Sequence, residues 1–299
     1  MANVTMSEMI YQLDPDLPMA HWTDDGGRVR LRTLDASGGQ FVEGFDHGEV
    51  NKGELFPVTG PTGIRGVVAG DTVAIDVLAI APDEFGHTWT RSGLGFASPT
   101  GYHARELSSL NPVIDWGTGP AIQVPSQLHI GTLGLLPGHS FEPRSVGVHG
   151  GNLDTRWLGA GSTIWLSAQV DGGGLFVGDV HAAIGGAEVC GTGIEVAATI
   201  DLEVRSVSGF TPVLPTVRAS GRTWLISDGD SFDEALEKGV RACTTLLAQT
   251  WGMSIKDAYL AVGLLLQVEV CQVVNPRRSL ALSLAGGADI ALGPQEVLS

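Results

Sequence analysis

Val148-His149-Gly150-Gly151-Asn152-Leu153-Asp154-Thr155 places an imidazole, an amide and a carboxylate around two adjacent glycines. Gly178-Asp179-Val180-His181 and Gly185-Gly186-Ala187-Glu188-Val189-Cys190-Gly191 follow downstream and have the same character. Carboxylate and imidazole groups hold divalent metals in proteins, and glycine lets the backbone approach a ligand closely. The three segments therefore predict a metal site at glycine-rich strand ends, in a fold made mainly of strands and turns.

The side chains that we predict to bind this metal are His149, Asp154, Asp179 and His181. Residues two apart on an extended segment point to the same face, so Asp179 and His181 would present a carboxylate and an imidazole to one ion. Alone, each would be an ordinary polar loop residue, but together in one glycine-rich span they favour a ligand cluster. Six other histidines are scattered along the chain, and the sequence does not choose among them as further ligands: His21, His47, His87, His103, His129 and His139.

Three further side chains near this cluster have two interpretations each. Glu188 is either a general base, which takes a proton from metal-held water and passes it to the leaving amine, or a metal ligand. Asn152 either donates a hydrogen bond to a developing oxyanion or is a turn residue after the two glycines. Glu195, in the apolar run 194–197, is a metal ligand or the partner of one if it is buried, and a surface residue if it is exposed.

The same motifs, taken in order, resemble those of the acetamidase/formamidase family of amide hydrolases. Residues 149–154 are similar to the family's H-G-G-N-x-D block, residues 178–181 to its G-D-x-H, and residues 188–195 to its E…C-G-x-I-E. Upstream, residues 60–71 resemble G-P-x-x-V-x-G-A-x-P-G-D. Residues 35–40 echo D-A-x-x-G-Q, which adds Asp35 to the candidate metal ligands. Gly186 departs from the pattern, because it stands where the family has an aspartate.

The resemblance implies a metal-dependent hydrolase that converts small linear amides, of the formamide or acetamide type, into carboxylate and ammonia. It implies a divalent metal, with zinc expected first, although mixed oxygen and imidazole ligands also fit manganese or calcium. It further implies a homodimer or a higher homo-oligomer. Two alternatives stay open: hydrolysis of a cyclic amide (a lactam) in the same site, and a non-catalytic β-rich binding module whose metal is structural.

Composition narrows the class of partner and the compartment. The 299 residues carry a formal charge of −16, which argues against a nucleic-acid or anionic-membrane surface and suits a neutral amide substrate. The 3 cysteines lack paired spacing, which favours a reducing cytoplasm over a disulfide framework. The first residues lack the basic start and apolar run of a signal peptide. The apolar stretch 258–274 is interrupted by Gln267, Glu269 and Gln272, so it is too short and too polar to be predicted as a membrane span.

The hydropathy pattern predicts an α+β fold that is predominantly β: a glycine-rich sandwich or barrel-like body with two late helices packed on it. Strands are predicted at 29–34, 72–80, 163–170, 193–204, 223–226, 267–274 and 279–284. Capping-box patterns at Ser231 and Ser254 predict two helices between 231 and 266. Residues 1–299 are expected to form a single unit, mainly β to 226 and α-α-β from 227. The aromatic and glycine-rich stretch 85–119 is expected to be a long loop that covers the site.

Overall fold

Two large β-sheets dominate the computed structural model, which describes residues 2–3, 9–41, 50–115 and 117–294. Strands are numbered in chain order. The first sheet has nine strands among these residues, in the spatial order β1 (Ala2–Asn3), β4 (Gly27–Thr33), β17 (Ala198–Val207), β6 (Thr72–Pro82), β14 (Thr163–Ser167), β18 (Thr216–Ala219), β19 (Arg222–Gly229), β21 (Arg278–Leu284) and β20 (Leu266–Gln272). His47, one of the scattered histidines, lies outside the described residues.

The second sheet has ten strands within the same ranges. Its main path is β12 (Val146–Gly147), β13 (Gly150–Asn152), β11 (His129–Leu135), β15 (Leu175–His181), β16 (Glu195–Val196), β7 (Phe85–Thr90) and β8 (His103–Ser108). β5 (Val58–Ile64) also pairs with β15 and carries β2 (Met9–Ile10) and β3 (His21–Thr23) at its other edge. A small separate ribbon pairs β9 (Val113–Ile114) with β10 (Ile122–Gln123).

The two sheets face each other across one apolar core. Along β17, inward residues such as Ile200 and Leu202 are fully buried, while Asp201 and Glu203 point outward. The outward carboxylates pair with arginines of β4; for example, Asp201 lies 2.6 Å from Arg30. This alternation is the period-2 pattern of a strand with one wet face. By contrast, every residue of β11 and β15 is buried, so these two strands lie at the centre of the molecule.

Two α-helices occur in the described part of the chain, α1 (Phe232–Trp251) and α2 (Ile255–Leu265). Their N-caps are the predicted ones, because the Ser231 and Ser254 hydroxyls accept from the backbone N–H groups of Glu234 and Asp257. The helices cover the outer face of β19 and β21, where their apolar side chains meet those of the strands. This second core consists chiefly of Leu225, Ala235, Cys243, Leu247, Ala258, Val262, Leu280, Leu282 and Leu284.

The predicted fold class is confirmed: the chain is mostly β, with two late helices packed on a sandwich of open sheets. The expected loop at 85–119 was wrong in part, because β7 and β8 form a hairpin there. Its strands carry Trp89 and Leu107 inward, but histidine, threonine and arginine between them hide the alternation. Within the described ranges, no helix is long and apolar enough to cross a membrane.

Two helical glycines provide a matched test of this packing. A Cβ added at Gly239 in α1 would lie 2.5 Å from Leu282 Cδ2, whereas one at Gly263 in α2 would meet nothing within 4 Å. Alanine is a better helix former than glycine by about 0.5 to 1 kcal/mol, so Gly263→Ala should raise the free energy of unfolding by that amount. Gly239→Ala should lower it by about 1 kcal/mol or more, because the core side chain has no room to move. Chemical denaturation of both variants measures this; equal effects would contradict the packing of α1 on β21.

Candidate active site

Four carboxylates and one imidazole converge at one end of β15. Asp179 and His181 come from β15 itself, Glu195 from the neighbouring β16, Asp154 from the loop after β13, and Glu188 from the short 3-10 turn Gly186–Glu188. All five side chains are buried. In two overlapping groups, Asp154 with Asp179 and His181, and His181 with Glu188 and Glu195, one ligand atom per residue lies within 4.8 Å of the others. The cluster combines four residues predicted as ligands with the predicted base.

The backbone is strained where it presents three of these carboxylates. Asp154, Asp179 and Glu188 have φ angles of +48°, +55° and +50°, in the left-handed backbone region that residues other than glycine rarely adopt. Such a conformation costs about 1 to 3 kcal/mol per residue and is retained where a function requires it. At Asp179 the left-handed conformation interrupts the extended backbone of β15. The side chains of Asp179 and His181 nevertheless lie close together, as predicted, with Asp179 Oδ1 3.7 Å from His181 Nε2.

Gly131, in β11, makes the close approach of two carboxylates possible. A Cβ at this position would lie 2.8 Å from Asp179 Oδ2 and 2.9 Å from Asp154 Oδ1. Both distances are shorter than those that real Cβ atoms show. The backbones of Asp154 and Asp179 are in the left-handed region, which limits how far their carboxylates can move away. Only a glycine therefore leaves room for the two carboxylates above this strand.

The electrostatics of the cluster are those of a cation site. Burial raises the pKa of Asp154 to about 7, and it raises the pKa values of Asp179 and Glu188 well above their ordinary range. The charge of Asp154 raises the pKa of Glu188 further, whereas His181 partly offsets the effect of burial at Asp154 and Asp179. Burial alone would lower the pKa of His181, but Glu195 and Asp179 outweigh it, so that pKa is raised.

Three oxygens of the cluster make no hydrogen bond. Asp154 Oδ1, Glu188 Oε2 and Glu195 Oε2 are buried without a hydrogen-bond partner among the described residues, although Glu195 Oε2 lies 3.1 Å from His181 Nε2 as an ion pair. Buried oxygens without partners are expensive, and four carboxylates around one imidazole leave an excess of negative charge. A divalent cation would offset both, so this donor set of carboxylate and imidazole fits such an ion.

A hydrogen-bond network holds Asp154 in place. Asn152 Nδ2 donates to Asp154 Oδ2 at 2.5 Å, and the hydroxyl of Thr132 donates to Asn152 Oδ1 at 2.5 Å. Asn152 thus uses its carbonyl oxygen and one N–H to orient a carboxylate. Its predicted role as a donor to an oxyanion stays a prediction.

Asn275, which the sequence did not single out, also reaches the cluster. Its Nδ2 donates to Asp154 Oδ2 at 3.1 Å from the turn after β20. The buried Gln272 shapes this turn, since its Oε1 accepts from the backbone N–H groups of Val274 and Asn275. The turn is also tied to the 3-10 segment, because Val273 N donates to the carbonyl of Ala187. An Asn-Pro pair in sequence marks only a turn, so the signal for this role was weak.

Two predicted ligands lie outside both groups. The ring of His149 stacks on Phe141 with centroids 5.2 Å apart, and burial lowers its pKa to about 4. Asp35 Oδ1 instead accepts from the backbone N–H groups of Ser37 and Gly39 and from the Ser37 hydroxyl, which closes a local turn. Of the scattered histidines, His129 reaches the cluster, through a contact with His181.

The motifs and this geometry agree with the comparisons to known proteins. The sequence profile of the acetamidase/formamidase family matches residues 5–146 and 142–274. The chain belongs to the acetamidase/formamidase family. It is therefore a hydrolase of non-peptide carbon–nitrogen amide bonds.

Individual relatives agree with this membership. The chain is 25% identical to a formamidase of Methylophilus methylotrophus over 298 aligned positions, which cover 74% of this chain and 72% of that protein. An acetamidase crystal structure from Bacillus halodurans superposes with a TM-score of 0.89 and 27% identity, covering 96% of this chain and 98% of that one. A gamma lactamase from Delftia acidovorans, at 20% identity and a TM-score of 0.58 over 95% and 91% of the two chains, shares the fold alone.

We predict that the metal-free chain loses stability as the pH rises from about 4, where the unfolded carboxyls titrate, to about 7, the folded-state pKa of Asp154. Asp154, Asp179 and Glu188 have raised pKa values in the folded state and keep protons that the unfolded chain has already released. Their stabilisation is therefore lost as the pH rises through the folded pKa, by about 1.4 kcal/mol per pH unit for each group that titrates. The lowered pKa values of His129 and His149, about 3 and about 4, act in the opposite direction below about pH 6.5, because the unfolded chain protonates these histidines there and the folded chain does not. The loss of stability is therefore steepest above about pH 6.5.

Calorimetric melting in chelator at several pH values checks this. Saturating zinc should flatten the slope, because the cation replaces the protons. A melting temperature that stays constant or rises with pH in chelator would contradict the charge balance of the cluster.

Proposed function

We propose that the chain is a metal-dependent hydrolase of small linear amides, of the formamide or acetamide type, which releases carboxylate and ammonia. The observation that carries this proposal is the convergence of four buried carboxylates on His181, with three oxygens that make no hydrogen bond within the described residues. The names of the relatives support the substrate class.

The residues that would hold the metal are Asp154, Asp179, His181 and Glu195. Zinc is the proposed ion, with manganese or calcium as alternatives, because the set mixes carboxylate oxygens with one imidazole. When bound, a divalent ion would polarise the amide carbonyl and lower the pKa of water. His149 and Asp35 are left out of this set, since one is stacked on Phe141 and the other closes a turn.

Glu188 is the proposed proton carrier. Its carboxyl is buried at the edge of the cluster, with Oε2 unpartnered, on a turn whose strained backbone fixes its direction. Burial and the charge of Asp154 raise its pKa, which makes it able to hold a proton near neutral pH. It would take a proton from the attacking water and deliver it to the leaving nitrogen, so that the product leaves as ammonia.

The rest of the chain suits a small uncharged substrate in a reducing compartment. A formal charge of −16 disfavours anionic partners, so we propose neither a nucleic-acid nor a membrane role. Cys190, Cys243 and Cys271 are all free thiols, in keeping with the proposed cytoplasmic location. The homodimer stays a prediction, which analytical ultracentrifugation would check.

Turnover of an amide panel tests the proposed function. The panel contains formamide, acetamide, longer linear amides and lactams. Ammonia release and ring opening are measured separately, and elemental analysis gives the metal content of the protein. We expect at least one divalent ion per chain, ammonia release from the small linear amides, and loss of turnover on chelation that added metal restores. Preferred ring opening would favour the lactam alternative. A metal-loaded protein that turns over nothing would favour a binding module, and full activity without metal would overturn the mechanism.

Substitution of Glu188 separates base from ligand. Glu188→Gln should keep metal and fold but lose on the order of a hundredfold in kcat, because glutamine can offer an oxygen but cannot carry the proton. Asp179→Ala and His181→Ala should instead lose metal and activity together. Glu203→Gln, the same chemical change at an exposed ion pair with Arg28 on the outer sheet, is the matched control and should leave kcat unchanged. Loss of metal in Glu188→Gln would make Glu188 a ligand, and near-normal turnover would remove it from the mechanism.

A further inference from the structure

His129 is a completely buried histidine whose two ring nitrogens both have partners. Its Nδ1 lies 2.7 Å from the backbone carbonyl of Gln127, and its Nε2 lies 3.3 Å from Nδ1 of His181. The two rings are held by strand pairing, because His129 of β11 is the direct cross-strand neighbour of His181 of β15. Gln127 is fixed as well, since its backbone N–H donates to the carbonyl of Ala182.

The partners decide where the protons are. A carbonyl oxygen can only accept, so Nδ1 of His129 must be the donor and carry the proton. A neutral imidazole has one N–H, which leaves Nε2 of His129 as an acceptor. The ring is completely buried, and its two nitrogens face a carbonyl and a second imidazole, so among the described residues no carboxylate is placed to balance a positive charge on it. The proton between the two rings therefore belongs to Nδ1 of His181.

The consequence falls on the other nitrogen of His181. With Nδ1 protonated, Nε2 is the atom that can give up its proton and offer a lone pair. This is also the atom that faces the carboxylates, at 3.1 Å from Glu195 Oε2 and 3.7 Å from Asp179 Oδ1. The hydrogen bonds from the Gln127 carbonyl through His129 to His181 thus determine which nitrogen of His181 faces the carboxylates.

We propose that His129 is a positioning residue, which fixes the tautomer and ring orientation of His181 so that Nε2 is the nitrogen presented to a divalent ion. The proposal deepens the proposed function and rests on it for the identity of the ligand, but the protonation pattern of the two rings does not depend on the ion. His129 itself contacts neither the ion nor the substrate. An ordinary packing role would need neither the carbonyl acceptor on one side nor the ring nitrogen on the other.

Nitrogen-15 NMR of histidine-labelled protein tests the protonation pattern directly, with Zn²⁺ as the probe ion. In the wild type, His129 should carry its proton on Nδ1 with or without zinc. In the zinc-loaded protein, His181 should carry a proton on Nδ1 and bind zinc through Nε2. A proton on Nε2 of His129, or zinc on Nδ1 of His181, would overturn the proposal.

Two substitutions test the consequence for affinity. His129→Leu removes the acceptor, and the dissociation constant for Zn²⁺, measured against a competing chelator, should rise about 10- to 100-fold, as for other residues that orient a metal-binding histidine. His129→Gln keeps an oxygen acceptor at the reach of Nε2 and should recover most of the affinity. His139→Leu, a change of the same type at an exposed histidine, should leave the affinity unchanged.

The outcomes separate this proposal from the proposed function. Equal zinc affinity in the wild type and His129→Leu would overturn the positioning role, even if the protein is a zinc-dependent amidase. If His129→Leu does not fold, His129→Gln and the wild-type spectra still decide. A wild type that binds no zinc would remove zinc from the proposed function, while the positions of the protons on the two rings would still support or refute the hydrogen-bond chain.

Discussion

Mutual repulsion between buried carboxylates is the constraint on which the rest of this structure depends. Asp154, Asp179, Glu188 and Glu195 share one imidazole in a buried site, where the negative charge of Glu195 raises the pKa values of the other three carboxyls. The fold must therefore hold them together against their charge. It does so with two strands, β11 and β15, that are buried along their whole length between the sheets. Gly131 follows from this, because the close approach of Asp154 and Asp179 leaves no space for a side chain at that position.

The α-α-β segment contacts the mainly β part directly at the carboxylate cluster. It does more than cover one face of the sheet, since Asn275 donates to Asp154 and Val273 donates to the turn that carries Glu188. A salt-bridge cluster secures the same region, because the buried Asp228 of β19 pairs with Lys238 of α1 and with Arg277 just after the turn. These contacts support the proposal that residues 1–299 form a single unit and do not divide near residue 227.

Local sequence signals predicted the outer parts of the molecule well and its centre poorly. β17 alternates between apolar and charged residues because one face is wet, and both helices begin at serine caps that bond only to their own first turn. β11 and β15 were not predicted as strands, because burial on both faces removes the alternation and glycines interrupt their apolar runs. The motifs singled out Asp154, Asp179, His181, Glu188 and Glu195, and the structure brings their side chains into one cluster. The motifs could not show that His149 stacks on Phe141, or that His129 and Asn275 reach the cluster from positions distant in sequence, because those contacts depend on tertiary structure.

The separation in sequence of the groups around Asp154 has a consequence for biosynthesis. Asn275 is 121 residues beyond Asp154, and β4 finds its partner β17 across 171 residues at the pair of Arg30 with Asp201. Chains dominated by such distant pairings fold slowly, and they complete their contacts only after synthesis has delivered the late segments. A ribosome-bound chain that has emerged only to residue 227 carries all the acidic residues of the cluster. It lacks the turn after β20, from which Asn275 donates a hydrogen bond to Asp154. The proposed ion would thus be held tightly only at the end of folding, so that tight metal uptake would mark a completely folded molecule.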